Sequence, residues 1–444
     1  MNEQLAAFIR EHNIHEVECV IPDMTGMARG KIVPKGLFLA EDSMKMSKAV
    51  LTITVNGEFA EFERFAGAND PDMVCRPDPS TIRLVPWAIE PVAVVIHDCE
   101  DFDGTPVGIS PRAVLRRVLK LYEDRGWRPV VAPEMEFYLI RQNTNPHEPL
   151  RPPSGRAGRS EVGRQSFSID AVNDFDPFFQ ELSAFCEAAQ LKVETLIHEV
   201  GACQMEINFS HGDAMALADQ VFLFKRAVRE TAYRHNIFAT FMAKPMEGEP
   251  GSAMHIHQSI VDDSGANIFS QPDGSASELF FHHIGGMQRY LPRAMPMFAP
   301  YVNSYRRLSR HTAAPINVRW GYDNRTCGIR IPPSGPAARR VENRVPGVDV
   351  NPYLAMAATL ACGYLGMVNR IEPSAPMDDS AYNLDYELPR SLEDAVELMQ
   401  DCPELAAILG EEFVQAFCAV KEKEFETFNR AITAWEREHL QLHV

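Results

Sequence analysis

Two glutamates one residue apart, Glu134 and Glu136, lie within an apolar run that extends from Val130 to Ile140. The run is rich in β-branched and aromatic residues, which predicts a strand. Residues i and i+2 of a strand point to the same face, so the two carboxylates would lie side by side. Burying two like charges together is costly unless a cation lies between them. A solvated acidic face would explain the pair equally well, so other residues must decide between these alternatives.

Three further stretches place charged or metal-binding side chains close together in strand-like or hairpin-like sequence. They are His255 with His257, Glu342 with Arg344, and Glu199 with Glu206 at the two ends of a predicted tight hairpin. Each pair alone is also typical of a surface histidine pair, a salt-bridged face or a charged hairpin tip. Taken with the first pair, they supply five carboxylates and two histidines but no thiolate. Hard oxygen ligands suit Mg²⁺ or Mn²⁺ better than zinc, and five carboxylates are too many for one Mg²⁺, so we expect two or more ions.

Arginines accumulate in one part of the chain, several of them in strand-like sequence. They are Arg306, Arg307, Arg325, Arg330, Arg339, Arg340 and Arg344. A guanidinium group binds carboxylates and phosphates through two parallel hydrogen bonds. The chain has no Walker or Rossmann glycine loop, so metal ions and arginines would have to hold a phosphate. The residues therefore predict a metal-dependent enzyme that uses ATP and acts on a carboxylate.

Composition narrows the class of protein further. The chain has 444 residues, of which 45% are hydrophobic and 23% charged, as in ordinary globular proteins. Its 43 basic and 61 acidic residues give a net charge of −18, which argues against a nucleic-acid partner. The nine cysteines are odd in number and scattered, which predicts reduced thiols in a cytoplasmic protein. We find no signal peptide and no run of about 18 apolar residues, so we expect no membrane segment.

The order of elements predicts an α+β protein of two domains, residues 1–105 and 106–444. Short strands dominate the first hundred residues, whereas the second domain mixes a mostly antiparallel sheet with helices. We expect helices over about 4–12, 110–124, 176–190, 214–235, 277–298, 351–369 and 411–439. We expect strands near 16–21, 81–85, 93–97, 192–197, 205–209, 237–242, 253–261, 316–322, 327–331 and 341–344. Residues 142–166 lack apolar periodicity and predict a long mobile loop, which is more often functional than not.

Eight ordered stretches carry most of these residues. They are Pro133–Phe137, His198–Glu206, Phe241–Met246, Gly251–Ser259, Asn303–Leu308, Asn324–Arg325 with Ile329–Pro332, Arg339–Glu342 and Asn351–Ala355. As a set, they resemble glutamine synthetase of the bacterial type I lineage over nearly the whole chain. The resemblance implies a β-grasp-like N-terminal domain and a glutamine synthetase-type catalytic domain whose antiparallel sheet is flanked by helices. It also implies a homo-oligomer of two stacked hexameric rings, with active sites between neighbouring subunits.

The resemblance implies a role for each matching residue. One metal site would consist of Glu136, Glu199 and Glu206, and the other of Glu134, His255 and Glu342. The glutamate-binding residues would be Gly251, Arg307 and Arg344. The ATP-contacting residues would be Glu194, His257, Ser259 and Arg340. The residues that stabilise the transferring phosphoryl group would be Arg325 and Arg330. The implied reaction is phosphorylation of L-glutamate by ATP to γ-glutamyl phosphate, followed by attack of an amine.

The chain departs from the family at three positions. The family carries an Asp-Gly-Ser-Ser loop that helps bind ammonium, but residues 46–58 contain no such motif. Ala313 lies where the family has a flap glutamate, which accepts the ammonium proton, and Pro250 replaces an asparagine before Gly251. These changes predict a γ-glutamyl-amine ligase, similar to the γ-glutamylpolyamine synthetases of putrescine catabolism. The alternatives are a glutamine synthetase that uses ammonium and a non-catalytic relative.

Two details stay open at this level. The candidates for the base that deprotonates the amine are Glu58, Glu61 and Glu63 in the first domain. Tyr382 lies near the tyrosine that is adenylylated in the family, but the sequence that follows it departs from the family pattern. Regulation by adenylylation is therefore not expected.

Overall fold

The computed structural model describes residues 2–41, 43–310 and 313–444. Its helices are α1 Glu3–Glu11, α2 Lys35–Ala40, α3 Phe62–Phe65, α4 Pro111–Glu123, α5 Ile169–Asn173, α6 Asp176–Ala188, α7 Ala214–Arg234, α8 Glu278–Tyr290, α9 Met295–Phe298, α10 Val302–Arg307, α11 Pro352–Asn369, α12 Leu392–Gln400, α13 Pro403–Leu409, α14 Glu411–Asn429 and α15 Ala434–Leu440. Its strands are β1 Glu16–Pro22, β2 Ala28–Pro34, β3 Met44–Ser47, β4 Asp72–Pro77, β5 Arg83–Leu84, β6 Val92–Glu100, β7 Trp127–Arg141, β8 Val193–His198, β9 Gln204–Phe209, β10 Gly212–Asp213, β11 Ile237–Thr240, β12 Met254–Asp262, β13 Trp320–Tyr322, β14 Ile329–Ile331 and β15 Val341–Asn343.

The first sheet consists of strands from the first hundred residues. Its order is β2-β1-β6-β4-β3, and β5 pairs with β6. Strands β1 and β6 are parallel, whereas the other pairs are antiparallel. This mixed sheet with α1 packed on its core agrees with the β-grasp-like domain that the family resemblance implies. The boundary near residue 105 stays a prediction.

The second sheet is built around β7, the long strand that contains Glu134 and Glu136. Its order is β13-β14-β15-β12-β7-β9-β8, and β10 and β11 also pair with β7. All pairs are antiparallel except β13 with β14. Helix α11 packs against α4, α7 and α8, and both α4 and α7 contact β7. The expected antiparallel sheet flanked by helices is confirmed, so the chain is an α+β protein.

Local sequence explains where the main helices begin. The Ser110 side chain accepts a hydrogen bond from the Ala113 N–H, and Pro111 occupies the first turn of α4, where no N–H is needed. Asn351 caps α11 in the same way by accepting from the N–H groups of Tyr353 and Leu354. Both caps match the starts that the sequence predicts.

Two predicted long helices are interrupted. The helix expected over 277–298 ends at Tyr290 and continues as a 3₁₀ turn and the short α9, because Pro292 lacks the N–H that an α-helix requires. The helix expected over 411–439 ends at Asn429, and α15 starts after a new capping box formed by Thr433 and Glu436. Helix α5, with Ser168 as its N-cap, is an element that the sequence reading missed.

The nine cysteines are all buried and free, in agreement with the expectation of reduced thiols. Across residues 2–41, 43–310 and 313–444, no helix combines the length and the apolar character needed to cross a bilayer. Residues 142–166 contain neither helix nor strand. Their end is nevertheless held to the second sheet, because the Phe167 N–H donates to the carbonyl of His198 at 2.8 Å.

Candidate functional site

The register of the second sheet brings the candidate metal ligands together. Glu134 lies opposite His255 across the β7–β12 pair, and Glu136 lies opposite Glu206 across the β7–β9 pair. Glu342 on β15 pairs with His257 on β12, one strand further along. Because β7 lies between β9 and β12, and β12 lies beside β15, residues that are up to 208 positions apart in the sequence meet within one sheet.

Two overlapping groups of side chains have their ligand atoms within 4.8 Å of one another. One group is Glu134, His255 and Glu342, and the other is Glu136, Glu206 and His255. The first has the composition that the family resemblance implies for one metal site. The second contains two of the three residues predicted for the other site.

Glu199 is the predicted ligand that does not join these groups among the described residues. It follows β8 directly, and its Oε2 accepts a hydrogen bond from the Val200 N–H at 3.3 Å. Its charge still reaches the groups, because it contributes to raising the pKa of Glu136 and of Glu206. Its assignment as a metal ligand stays a prediction.

Carboxylates crowd the second group. Burial, followed by the charge of Glu199, raises the pKa of Glu136 to about 8. Burial and the charges of Glu136 and Glu134 raise the pKa of Glu206 to about 9. Asn208, opposite Glu134 on β9, has a buried Oδ1 without a hydrogen-bond partner in the described part of the chain. A hard divalent cation would relieve this repulsion, so the oxygen-rich donor set fits Mg²⁺ or Mn²⁺.

The pKa of Glu134 is shifted in the opposite direction to those of Glu136 and Glu206. Its Oε1 accepts from His257 Nε2 at 2.9 Å, and its Oε2 lies 3.3 Å from His255 Nδ1. Although burial opposes it, this hydrogen bonding to the two histidines holds the pKa of Glu134 well below its usual range. Arg340 Nε donates to His257 Nδ1 at 3.3 Å, so the proton of a neutral His257 lies on Nε2 and is donated to Glu134.

The residues predicted to bind glutamate lie together and contact the first candidate metal group through Glu342. Arg344 Nη1 donates to Glu342 Oε1 at 2.5 Å, while its buried Nε has no partner among the described residues. Arg307 is 3% exposed and donates to the carbonyls of Val345 and Arg344 at 2.7 and 3.0 Å. A Cβ added to Gly251 would lie 2.5 Å from Arg307 Cγ, so the glycine backbone packs directly on this arginine.

The two arginines predicted to act on the phosphoryl group have different surroundings. Arg330 donates to Glu342 Oε2 and to Asp323 Oδ1, each at 2.6 Å. Arg325 keeps 69% of its side chain exposed and lies 3.9 Å from Asp323 Oδ1. Arg330 is therefore fixed beside the first metal group, whereas Arg325 extends into solvent.

The four residues predicted to contact ATP all line one cavity of about 420 Å³. They are Glu194, His257, Ser259 and Arg340. The cavity also includes Glu134, so it opens onto the first metal group. Its volume is within the range of small-molecule sites. Thr195, Phe209 and His211 line the same space, although the sequence reading did not select them.

Gln204 is a site residue that the sequence reading missed. Its Nε2 lies 3.2 Å from Glu136 Oε2 and 3.1 Å from the Gly251 carbonyl, and its Oε1 accepts from the Gly201 N–H at 3.0 Å. The Tyr138 hydroxyl donates to the Pro250 carbonyl at 2.8 Å. These bonds join the hairpin tip to the backbone around Gly251. In the sequence, the position of Gln204 inside the stretch His198–Glu206 could have indicated that it belongs to the site.

Comparison with known proteins identifies the family. The sequence model of the family described as "Glutamine synthetase, catalytic domain" matches residues 108–440. The chain belongs to the glutamine synthetase family. Glutamate–isopropylamine ligase of Pseudomonas sp is 33% identical, over 97% of this chain and 95% of its own length. The γ-glutamylputrescine synthetase PuuA of Escherichia coli K12 is also 33% identical, over 97% and 92%.

A solved structure of GmaS without ligand shares the fold. Its TM-score is 0.83 at 28% sequence identity, and the match covers 99% of each chain. Glutamine synthetases are among the similar proteins as well. The family and these relatives support an ATP-dependent glutamate ligase, and they do not separate organic amines from ammonium.

The stretch expected to depart from the family includes a short turn, and Ala313 lies at a second departing position. Residues 48–52 form a 3₁₀ turn in which Lys48 pairs with Asp101 at 2.5 Å. Ala313 is exposed and has a φ of 62°. Its neighbours 311 and 312 lie outside the described residues.

The three candidate bases are not members of the candidate metal groups among the described residues. Glu58 Oε2 is 3.3 Å from Lys423 Nζ on α14, and Glu61 Oε2 is 3.1 Å from Arg64 Nη1. Glu63 belongs to the short helix α3 and is exposed. Their role as bases stays a prediction.

Proposed function

We propose that this chain joins the γ-carboxylate of L-glutamate to an organic amine, a polyamine such as putrescine or a monoamine, and converts ATP to ADP and phosphate. One observation carries the choice of amine. Carboxylates, histidines and arginines are gathered on the second sheet, whereas residues 46–58 lack the acidic Asp-Gly-Ser-Ser motif and residue 313 is an alanine. The equipment for phosphoryl transfer is thus retained without the anionic groups that would hold ammonium.

The residues divide the proposed reaction among them. Glu134, His255 and Glu342 would hold one Mg²⁺ or Mn²⁺ ion, and Glu136, Glu199 and Glu206 would hold another. These ions would polarise phosphate oxygens. For nucleotide binding, we assign Glu194, His257, Ser259 and Arg340, which line one cavity. Gly251, Arg307 and Arg344 would orient glutamate, with the unpartnered Nε of Arg344 available to a substrate carboxylate. Arg325 and Arg330 would balance charge on the transferring group.

The bonds of the proposed reaction balance in two steps. A γ-carboxylate oxygen of glutamate attacks the γ-phosphorus of ATP, and the bond to the β-phosphate oxygen breaks to release ADP. The amine nitrogen then attacks the acyl carbon of γ-glutamyl phosphate, phosphate leaves, and the nitrogen loses one proton. An organic amine brings apolar contacts of its own, so it depends less than ammonium on anionic groups for binding.

The test is ADP release from glutamate and ATP with a panel of amines. We expect a higher kcat/KM with isopropylamine, putrescine, spermidine or another organic amine than with ammonium. Robust turnover with ammonium and none with the organic amines would instead identify a glutamine synthetase, which the glutamine synthetase relatives make the second candidate.

A variant pair sharpens the same test. Ala313→Glu restores a carboxylate and fills space, so it should lower kcat/KM for the organic amine and raise it for ammonium. Ala313→Gly is the matched control, because glycine accepts the φ of 62° and adds no charge. Equal effects of the two variants would remove Ala313 from the account of amine choice.

We also infer a cytoplasmic homo-oligomer of two stacked hexameric rings with active sites between subunits. Free buried cysteines and the family membership support this inference. Sedimentation of the purified chain tests the assembly, and a monomer with full activity would contradict it.

A further inference from the structure

Glu161 in the segment 142–166 contacts the tip of the β8–β9 hairpin, which carries Glu199. Glu161 Oε2 accepts the Cys203 N–H at 2.8 Å and lies 3.1 Å from His198 Nε2. Cys203 and His198 flank the tip of the β8–β9 hairpin, on which Glu199 lies. The other carboxylate of this segment, Glu148, bonds within its own loop, where its Oε1 accepts from Asn145 Nδ2 at 3.2 Å.

The ring of His198 contacts both Glu161 and the backbone of Glu199. Its Nδ1 lies 2.8 Å from the Glu199 carbonyl oxygen, and its Nε2 faces the Glu161 carboxylate. The His198 side chain is fully buried, so these two contacts fix its ring between Glu161 and the backbone of the residue that carries the candidate ligand.

The tip itself needs such support. Cys203 adopts a φ of 57°, a conformation that non-glycine residues rarely adopt, so tertiary bonds must hold it. The Ala202 N–H donates to Glu249 Oε2 at 3.1 Å, so two neighbouring backbone donors of the tip are each bound by a carboxylate from a different loop. The Phe167 N–H adds a further bond to the His198 carbonyl.

We infer that Glu161 is a positioning residue, which fixes the hairpin tip so that Glu199 can face Glu136 and Glu206. The inference rests on the proposed metal set and deepens it. It gives the irregular segment 142–166 a role, since that segment supplies the anion that holds the ligand-bearing turn. Partners of this kind, one shell beyond the ligands, commonly change metal affinity about 10- to 100-fold when replaced.

The experiment compares Glu161→Gln with Glu148→Gln in the full chain, using Mn²⁺ alone as the probe. We expect Glu161→Gln to weaken Mn²⁺ binding about 10- to 100-fold at one class of site, measured by electron paramagnetic resonance. Hydrogen exchange should become faster at residues 199–204 and stay unchanged in the rest of the second sheet. Glu148→Gln should match the wild type in both measurements.

The outcomes separate this inference from the proposed function, because neither measurement involves turnover or an amine. Wild-type Mn²⁺ affinity in Glu161→Gln would overturn the inference alone. Faster exchange throughout the chain would also overturn it, since Glu161 would then support the fold in general. A wild-type chain that binds no Mn²⁺ would overturn both.

Discussion

At the scale of single residues, two glutamates on one strand face have opposite electrostatic environments. The histidines of β12 lower the pKa of Glu134, while burial and the Glu199 carboxylate raise that of Glu136 to about 8. The sequence predicts their shared face, because spacing along a strand is local information. It cannot predict the difference, because the neighbours on β12 and β9 are chosen by the sheet order.

Glu136→Gln should have opposite effects with and without metal. Because the folded pKa of Glu136 lies above the usual 4.5, the folded metal-free chain holds the extra proton and its stability falls as pH rises from 4.5 to 8. The amide keeps the acceptor for Ala253 and cannot ionise, so the metal-free variant should be more stable than the wild type at pH 8 and similar near pH 5. With Mn²⁺, the variant should gain less stability than the wild type, because it keeps only the site formed by Glu134, His255 and Glu342. Melting temperatures in EDTA and in Mn²⁺ check both parts, and a Mn²⁺ shift as large in the variant as in the wild type would contradict the ligand role.

Gly251→Ala should severely reduce glutamate use. The new Cβ would lie 2.5 Å from the Ala243 carbonyl oxygen and 2.5 Å from Arg307 Cγ, so the backbone or Arg307 must move. A misplacement of about 1 Å can cost about 100-fold in rate. Steady-state kinetics with varied glutamate measures the effect. Gly248→Ala is the matched control, because nothing lies within 4 Å of its added Cβ, and comparable losses in both variants would refute the argument.

At the scale of elements, local signals predict where the structure is local. Ser110 and Asn351 correctly predict the starts of α4 and α11, and the turn residues correctly predict the β8–β9 hairpin. The predictions of two uninterrupted helices are wrong because apolar periodicity does not report backbone hydrogen bonding. Apolar periodicity continues across Pro292 and across residues 430–433, whereas backbone hydrogen bonding does not. The contact between Glu161 and His198 is a tertiary contact, so sequence periodicity could not predict it.

Helix α8 contains a buried histidine that should make the fold sensitive to acid. His283 is fully buried beside Phe269 and Gly363, and neither ring nitrogen has a partner among the described residues. Burial lowers its pKa to about 3 from an ordinary 6.5. Below pH 6.5 the unfolded chain binds the proton first, so this residue costs about 2 kcal/mol of stability at pH 5 and almost nothing above pH 7.

His283→Leu should remove that cost. The melting temperature of the variant relative to the wild type should rise as pH falls from 7 to 5. Phe269→Leu alters the same contact without a titrating group, so its offset should be the same at both pH values. A pH-independent offset for His283→Leu would show that the histidine titrates normally.

At the scale of the whole molecule, a buried arginine connects the first sheet to helices that pack on the second sheet. Arg112 on α4 is 1% exposed and bonds to Asp78 and Asp98 near the first sheet at 2.8 and 2.7 Å. It also bonds to Asp219 on α7 at 3.0 and 3.1 Å, and Tyr353 on α11 donates to the same carboxylate. Its partners are spread over 142 positions of sequence, so only the folded chain reveals this connection.

Arg112→Met should therefore loosen the first sheet from the rest of the molecule. Removing one member of a buried ionic cluster leaves Asp219 uncompensated, which typically costs about 3–5 kcal/mol. Arg116→Met is the matched control, because Arg116 lies on the same helix, is half exposed and should contribute less than about 1 kcal/mol through Asp98. Denaturant midpoints of the full chain measure the loss, and hydrogen exchange at β4 and β6 locates it. Adding Asp219→Asn to Arg112→Met should recover part of the stability, because it removes the stranded charge; no recovery would mean that Arg112 acts through packing instead.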